Sequence, residues 1–187
     1  MRIELIIGGL GGQGVRAIGE AVGALAIIRD LYATSIFRYT PEVRGNSIYT
    51  ISVISDEPID YPGAMDPDII IFLHQRPYYD DSDLRRIVDS SRGIIIAEED
   101  LAKDLKGKKI AIERLASERL KRFRLNAVVF GLLGRLLNDK TELKVSLEDL
   151  INAFGYMGRL RGKEKRFLSE ENIASLRFGY ETLAALV

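Results

Sequence analysis

The sequence predicts one α/β domain over residues 1–187: a single Rossmann-like unit with a mostly parallel sheet, a glycine-rich turn between its first strand and first helix, and a helical C-terminal part. Three observations predict it. The stretch "IIGGLGGQGVRAIGE" sets five glycines in seven residues, Gly8 to Gly14, between an apolar run and a helical pattern. Short, nearly continuous apolar runs then alternate with helix-like segments, as expected of strands covered on both faces by crossover helices. From Ile112 onward the periodicity is mainly helical.

Element by element, Arg2 to Ile7 is apolar and β-branched without sustained alternation, which reads as a strand buried on both faces. The glycine turn follows. Val15, Ile18, Val22 and Leu25 recur at helical spacing, and Gly19 and Gly23 flatten one side of that helix for close packing on the sheet. "YATSIF" (Tyr32 to Phe37) and "SIYTISVIS" (Ser47 to Ser55) read as strands, with "RYTPEVRGN" as the loop between them. "DEPIDYPG" is a surface turn, "DIIIFLHQ" and "GIIIA" are buried strands, and "DSDLRRIVDS" between them is helical. Helices follow at "IERLASERL", "LNAVVFGLLGRLL" and "SLEDLINAF", the last opened by Ser146 and Asp149 in a capping-box arrangement. A final helix begins after Ser169, with Glu170 and Glu171 at its positive end.

Composition narrows the function classes. Lysine and arginine (27) balance aspartate and glutamate (27), which gives no reason to expect a nucleic-acid partner or a membrane surface. Without cysteine, no disulfide, thiolate metal site or iron-sulfur cluster can be held by this chain's own thiolates. The start passes directly into a strand-like run, without a signal-peptide pattern, and no segment approaches the roughly 20 apolar residues of a membrane span, so a cytoplasmic location is expected. The scarcity of thermolabile residues among many charges resembles a thermophile's composition.

Gly9, Gly11 and Gly14 fit G-x-G-x-x-G between strand and helix, where backbone N–H groups at a helix N-terminus can hold a phosphate or carboxylate. Gly12 removes a further side chain, and Gln13 adds an amide that donates and accepts. A tight turn that binds nothing is the alternative. An ordinary NAD site would place an acidic residue at the end of the second strand, but Arg38 stands there instead, suiting a phosphate or a partner's carboxylate. Tyr39 either stacks on a base or packs half-buried at the strand end. Glu42 and Arg44, after Pro41, form either a recognition surface or an exposed ion pair. His74, the only histidine, reads as structural, and the run "GRLRGKEKR" (Gly158 to Arg166) as a solvated face, an acidic-partner surface or a phosphate site.

"GLGGQGV" (Gly9 to Val15), "YTPEVRGN" (Tyr39 to Asn46) and "ISVISDEPI" (Ile51 to Ile59), in that order and spacing, resemble the gamma subunit of the 2-oxoacid:ferredoxin oxidoreductases. "PDIIIFL", Asn126 with Gly131, and Asn172 with Gly179 extend the resemblance over essentially the whole chain. It implies a multi-subunit enzyme that oxidatively decarboxylates a 2-oxoacid to acyl-coenzyme A with reduction of ferredoxin. Thiamine diphosphate and iron-sulfur clusters are then expected on alpha, beta and delta-type partner subunits, and this chain, inactive alone, lies near the coenzyme A arm. The cofactor-binding residues so expected are Gly9, Gly11, Gly12, Gln13, Gly14, Arg38, Tyr39, Glu42 and Arg44, with no catalytic or metal-binding residue of its own. Thr40 and Asn46 depart from the family's glycines; asparagine tolerates left-handed angles, so Asn46 is expected to keep the turn. A stand-alone NADP-linked reductase using Arg38, or an interaction module docking through "TPEVRGN", are the other readings.

Overall fold

The structure, a computed structural model, describes residues 1–39, 46–101 and 104–187. Six strands form one sheet in the order β2-β3-β1-β4-β5-β6: β1 (Arg2–Leu10), β2 (Tyr32–Tyr39), β3 (Ser47–Ser55), β4 (Ile69–Phe72), β5 (Ile94–Glu98) and β6 (Lys108–Ile110). The pairs β1–β4, β4–β5 and β5–β6 are parallel, whereas β3 runs antiparallel to both β1 and β2. The sheet is thus mostly parallel, with β3 as the exception. The stretch between Tyr39 and Ser47 is too short for a parallel crossover, which takes about a dozen residues or more, so β3 returns as a hairpin and wedges between β2 and β1.

Helix α1 (Val15–Ile28) covers one face together with α4 (Ile112–Arg119), α5 (Leu125–Lys140), α6 (Leu147–Leu160) and α8 (Glu170–Arg177), which continues into a π-helical turn, Phe178–Leu183. Helices α2 (Arg76–Asp80) and α3 (Ser82–Ser90) cover part of the other. Ile3, Leu5 and Ile7 face the larger core while Ile6 faces Tyr78 and Leu84. Burial on both sides explains why β1 shows no alternation.

β1 runs three residues beyond the apolar stretch that marks it in the sequence. Gly8 pairs with both Tyr49 and Phe72, and a Cβ there would lie 2.5 Å from the Phe72 ring, so the first glycines belong to the strand and not to the turn. Gly19 meets the expectation of close packing, since a Cβ would press within 2.8 Å of Phe37 and Thr50. Gly23 does not: a Cβ there would meet nothing within 4 Å. Ser146 and Asp149 form the reciprocal capping box, and the Ser169 hydroxyl accepts from the Asn172 N–H. The short edge strand β6 and α7 (Glu164–Phe167), a single turn inside the basic run, had no periodicity to reveal them.

Candidate functional site

The turn from β1 to α1 is built by Gly12 and Gly14, whose φ angles of 100° and 82° belong to the left-handed region that favours glycine. Gln13 staples it. Its Oε1 accepts from the Leu10 N–H at 2.7 Å, its Nε2 donates to the Leu73 carbonyl at 3.3 Å, and its own N–H donates to the Leu10 carbonyl at 3.1 Å. Both polar atoms of the Gln13 side chain are thus engaged in holding the turn. The Gly11 N–H donates to the Asn46 carbonyl at 2.9 Å, joining the glycine turn to the end of the β2–β3 connection. Asn46 is not among the residues with positive φ, so its contribution is this carbonyl and not a left-handed turn.

Gly14 caps α1 without a side chain, and the first intrahelical bond runs from the Ile18 N–H to the Gly14 carbonyl at 3.1 Å. The N–H groups of Val15, Arg16 and Ala17 therefore have no partner within the helix, and no acidic residue stands in the first turn. They open on a cavity of about 400 Å³ lined by Gly11, Gly12, Arg16, Glu20, Ile48 and Arg161 among others. Arg161, just past the end of α6, pairs with Glu20 at 2.5 Å, and Glu20 also accepts from Arg16 at 3.2 Å. The fold thus brings part of the basic run, distant in sequence, to the glycine turn. Asn126, on the first turn of α5, packs so closely on Gly14 that a Cβ added to Gly14 would lie 2.6 Å from the Asn126 Cβ. Neither Arg161 nor Asn126 stands among the site residues expected from the sequence. Its signals were the basic run and the Asn126 of the family pattern, with nothing to say which cavity they face.

The other expected residues are distributed as follows. Gly11, Gly12 and Gly14 line the cavity; Gly9 does not, and its missing side chain makes room for Gln13, Val15 and Leu73. Arg38 lies elsewhere. The β2–β3–β1 register aligns it with Tyr49 and Gly8, on the α2 and α3 side of the sheet, where it lines a separate cavity of about 370 Å³ with Tyr49, Asp81 and Arg86. There the Tyr49 hydroxyl donates to Asp81 at 2.7 Å, and burial pushes the Tyr49 hydroxyl's pKa up. Burial also pushes Asp81 upward, but the Leu84 N–H, the Tyr49 hydroxyl and the Asp83 N–H together hold it below the usual carboxylate range. Arg38 and the glycine turn do not meet, which removes the arrangement a reductase using both would need. Tyr39 aligns with the cavity-lining Ile48 but is 69% exposed, so it is not half-buried packing. Glu42 and Arg44 lie outside the described residues. His74 Nδ1 accepts from the Arg76 N–H at 3.1 Å, and burial, with the Arg76 charge, lowers its pKa, as suits a structural histidine.

The sequence profile of the family described as pyruvate ferredoxin/flavodoxin oxidoreductase matches residues 4–182. The chain belongs to this family. Among relatives within it, the chain is 33% identical over 197 residues to the 2-oxoglutarate synthase subunit KorC of Methanocaldococcus jannaschii, covering 100% of this chain and 96% of that one. The corresponding subunit of Methanothermobacter marburgensis is 46% identical over 85 residues, 43% of this chain and 46% of that one. Among solved structures, the gamma subunit of a keto/oxoacid ferredoxin oxidoreductase from Geobacter sulfurreducens superposes with a TM-score of 0.65 at 21% identity, covering 99% and 98% of the two chains. A 2-oxoglutarate:ferredoxin oxidoreductase from Magnetococcus marinus, solved with 2-oxoglutarate, coenzyme A and succinyl-CoA bound, superposes with a TM-score of 0.71 at 16% identity over 100% of this chain and 31% of that one. This chain therefore shares its fold with both solved structures along nearly its whole length.

Proposed function

We propose that this chain is the gamma-type subunit of a 2-oxoacid:ferredoxin oxidoreductase, with 2-oxoglutarate as the favoured substrate, and that its glycine turn holds a phosphate of coenzyme A. The observation that carries the subunit reading is the match to KorC over 100% of this chain and 96% of that one. Thiamine diphosphate and iron-sulfur clusters, held by alpha, beta and delta-type partners, would supply decarboxylation and electron transfer to ferredoxin. The chain's own part is binding. The residues present fit a phosphate: three helix N–H groups without helical partners, a turn whose Gly12 leaves open space, and the guanidinium of Arg161 on the far wall. The Glu20 carboxylate holds that guanidinium in place and competes with the phosphate for it. Because Gln13 fixes the turn through Leu10 and Leu73, the N–H groups are aimed before any ligand arrives.

Purification of the native protein with its partners, followed by subunit identification by mass, tests the assignment. The complex should oxidise a 2-oxoacid in a coenzyme A-dependent reaction, whereas the single chain should be colourless and inactive. Gly11→Asp in the complex should raise the KM for coenzyme A by about tenfold or more, by setting a carboxylate beside the anion. Turnover of 2-oxoacids by the purified single chain, or tight NADPH binding to it, would overturn the reading.

A further inference from the structure

Beside the glycine turn, on the other side of Arg161, lies a cavity of about 320 Å³ between the start of α5, the end of α6 and α7. Its charged lining is Arg124, Arg161, Lys163 and Arg166, four cations and no carboxylate, in a chain whose charges balance overall. Arg124 and Arg161 pair outward with Glu171 and Glu20, but Lys163 and Arg166 have no carboxylate partner among the described residues. The side-chain amide of Asn126 lines the same space and has no hydrogen-bond partner among the described residues.

We propose that this cavity is a second anion site, shaped for the phosphate of a phosphorylated small molecule. It extends beyond the glycine turn and stands or falls apart from the subunit assignment.

The basic segment is ordered by devices that a solvated face does not need. Gly162 turns it at a φ of 63°, and the Lys163 N–H donates to the Gly158 carbonyl at 2.8 Å. Gly158 lets α7 approach so closely that a Cβ there would lie 2.7 Å from the Glu164 Cα. The Asn172 Nδ2 clamps the Arg166 and Phe167 carbonyls at 3.1 and 3.0 Å. Lys163 and Arg166, the two of these cations without a carboxylate partner among the described residues, line one concavity, and an anion bound there would relieve their repulsion. Three guanidinium forks, an ammonium and an amide suit a phosphate, which offers several oxygens and more charge than one carboxylate. Arg161 lines both cavities, so a phosphate on either side draws it from Glu20, and a ligand bearing two phosphate groups could engage both.

The test is calorimetric titration of the full-length chain with inorganic pyrophosphate, ADP and adenosine. Pyrophosphate and ADP should bind while adenosine does not, and tighter binding of ADP than of pyrophosphate would mark a nucleotide as the source of the phosphate. Combining Lys163→Gln with Arg166→Gln should weaken binding by about tenfold or more, as expected on losing charge-assisted hydrogen bonds, while Gly11→Asp leaves this site's binding in place. Lys163 and Arg166 are exposed, so the double variant should melt like the parent. Absence of pyrophosphate and ADP binding, or binding lost with Gly11→Asp but kept in the double variant, overturns the proposal. So does a patch that ignores both phosphates yet is required for assembly with partner chains, which would make it a docking surface for acidic protein.

Discussion

The glycines of the β1–α1 turn differ in what they prevent, and alanine separates them. Gly12 sits at a φ of 100° with open space around it, so Gly12→Ala should cost about 1 kcal/mol or more through backbone strain alone. Gly11 is not at positive φ, and a Cβ there meets only the Asn46 carbonyl oxygen at 3.9 Å, so Gly11→Ala should be neutral or stabilising by up to about 1 kcal/mol. Urea melts of the two variants check this; equal losses would show that the turn does not distribute its constraints in this way. Spacing alone made Gly11, Gly12 and Gly14 legible as one motif. Which of them binds and which merely turns depended on φ and on Asn46, neither visible in spacing. A second residue pair gives a pH signature. Burial raises Glu98 to about 7, against the Glu113 N–H that lowers it. Its protonated form therefore contributes stability that is full below the ordinary value of 4.5 and is lost as pH rises through about 7. His74 acts oppositely: burial lowers it, so its contribution is full above 6.5 and lost as pH falls through the lowered value. Relative to wild type, Glu98→Gln should gain more stability above pH 7 than below pH 4.5, as read from denaturation midpoints on the two sides. A gain of equal size on both sides would mean that Glu98 does not titrate differently on folding.

Among the helices, a tight constraint lies where α5 crosses α8 and its π-helical continuation. A Cβ at Gly131 would overlap the Leu176 carbonyl oxygen, and one at Gly179 the Val128 carbonyl oxygen, so each glycine admits the other helix's backbone. These oxygens belong to buried main chain and cannot rotate away. Gly131→Ala and Gly179→Ala should each destabilise by about 1–3 kcal/mol or more, seen as a lower Tm, and a neutral result at both would mean that the helices slide apart freely. The capping box on α6 also bridges elements, because Asp149 accepts from Ser146 and from Arg29 at the end of α1 at 3.0 Å. Ser146→Ala should cost about 1 kcal/mol. The long helices were legible because each carries an apolar stripe and a cap. β6 has only "KKI" at an edge, and α7 is one turn of charged residues held by Gly158 and Asn172, so their order comes from tertiary contacts and left no local pattern.

Across the whole molecule, the insertion of β3 has the widest consequences, and the sequence concealed it. Two β-branched runs separated by so short a loop suit only a hairpin, yet spacing does not say which of the two then pairs with β1. Only β3's position between β2 and β1 decides which side chains face α1. That parity carries Arg38 to the side opposite the glycine turn, so a residue correctly read as a strand-end arginine belongs to another cavity. The same insertion leaves the sheet unevenly covered. β4 is buried along its full length, with Ile69 and Ile71 in the larger core and Ile70 and Phe72 in the smaller one on the opposite face, whereas β2 is an edge strand that is half-buried at its middle and exposed at both ends. Amide exchange follows the free energy of the opening that exposes each hydrogen bond, so β4 should exchange only through global unfolding and β2 through cheaper local opening. In hydrogen–deuterium exchange of the isolated chain, Tyr32–Tyr39 should therefore label well before Ile69–Phe72, and mild denaturant should speed the second far more than the first. Equal protection, with equal denaturant dependence, would show that the hairpin opens only when the whole sheet does, and that the uneven cover of its two faces has no bearing on how it moves.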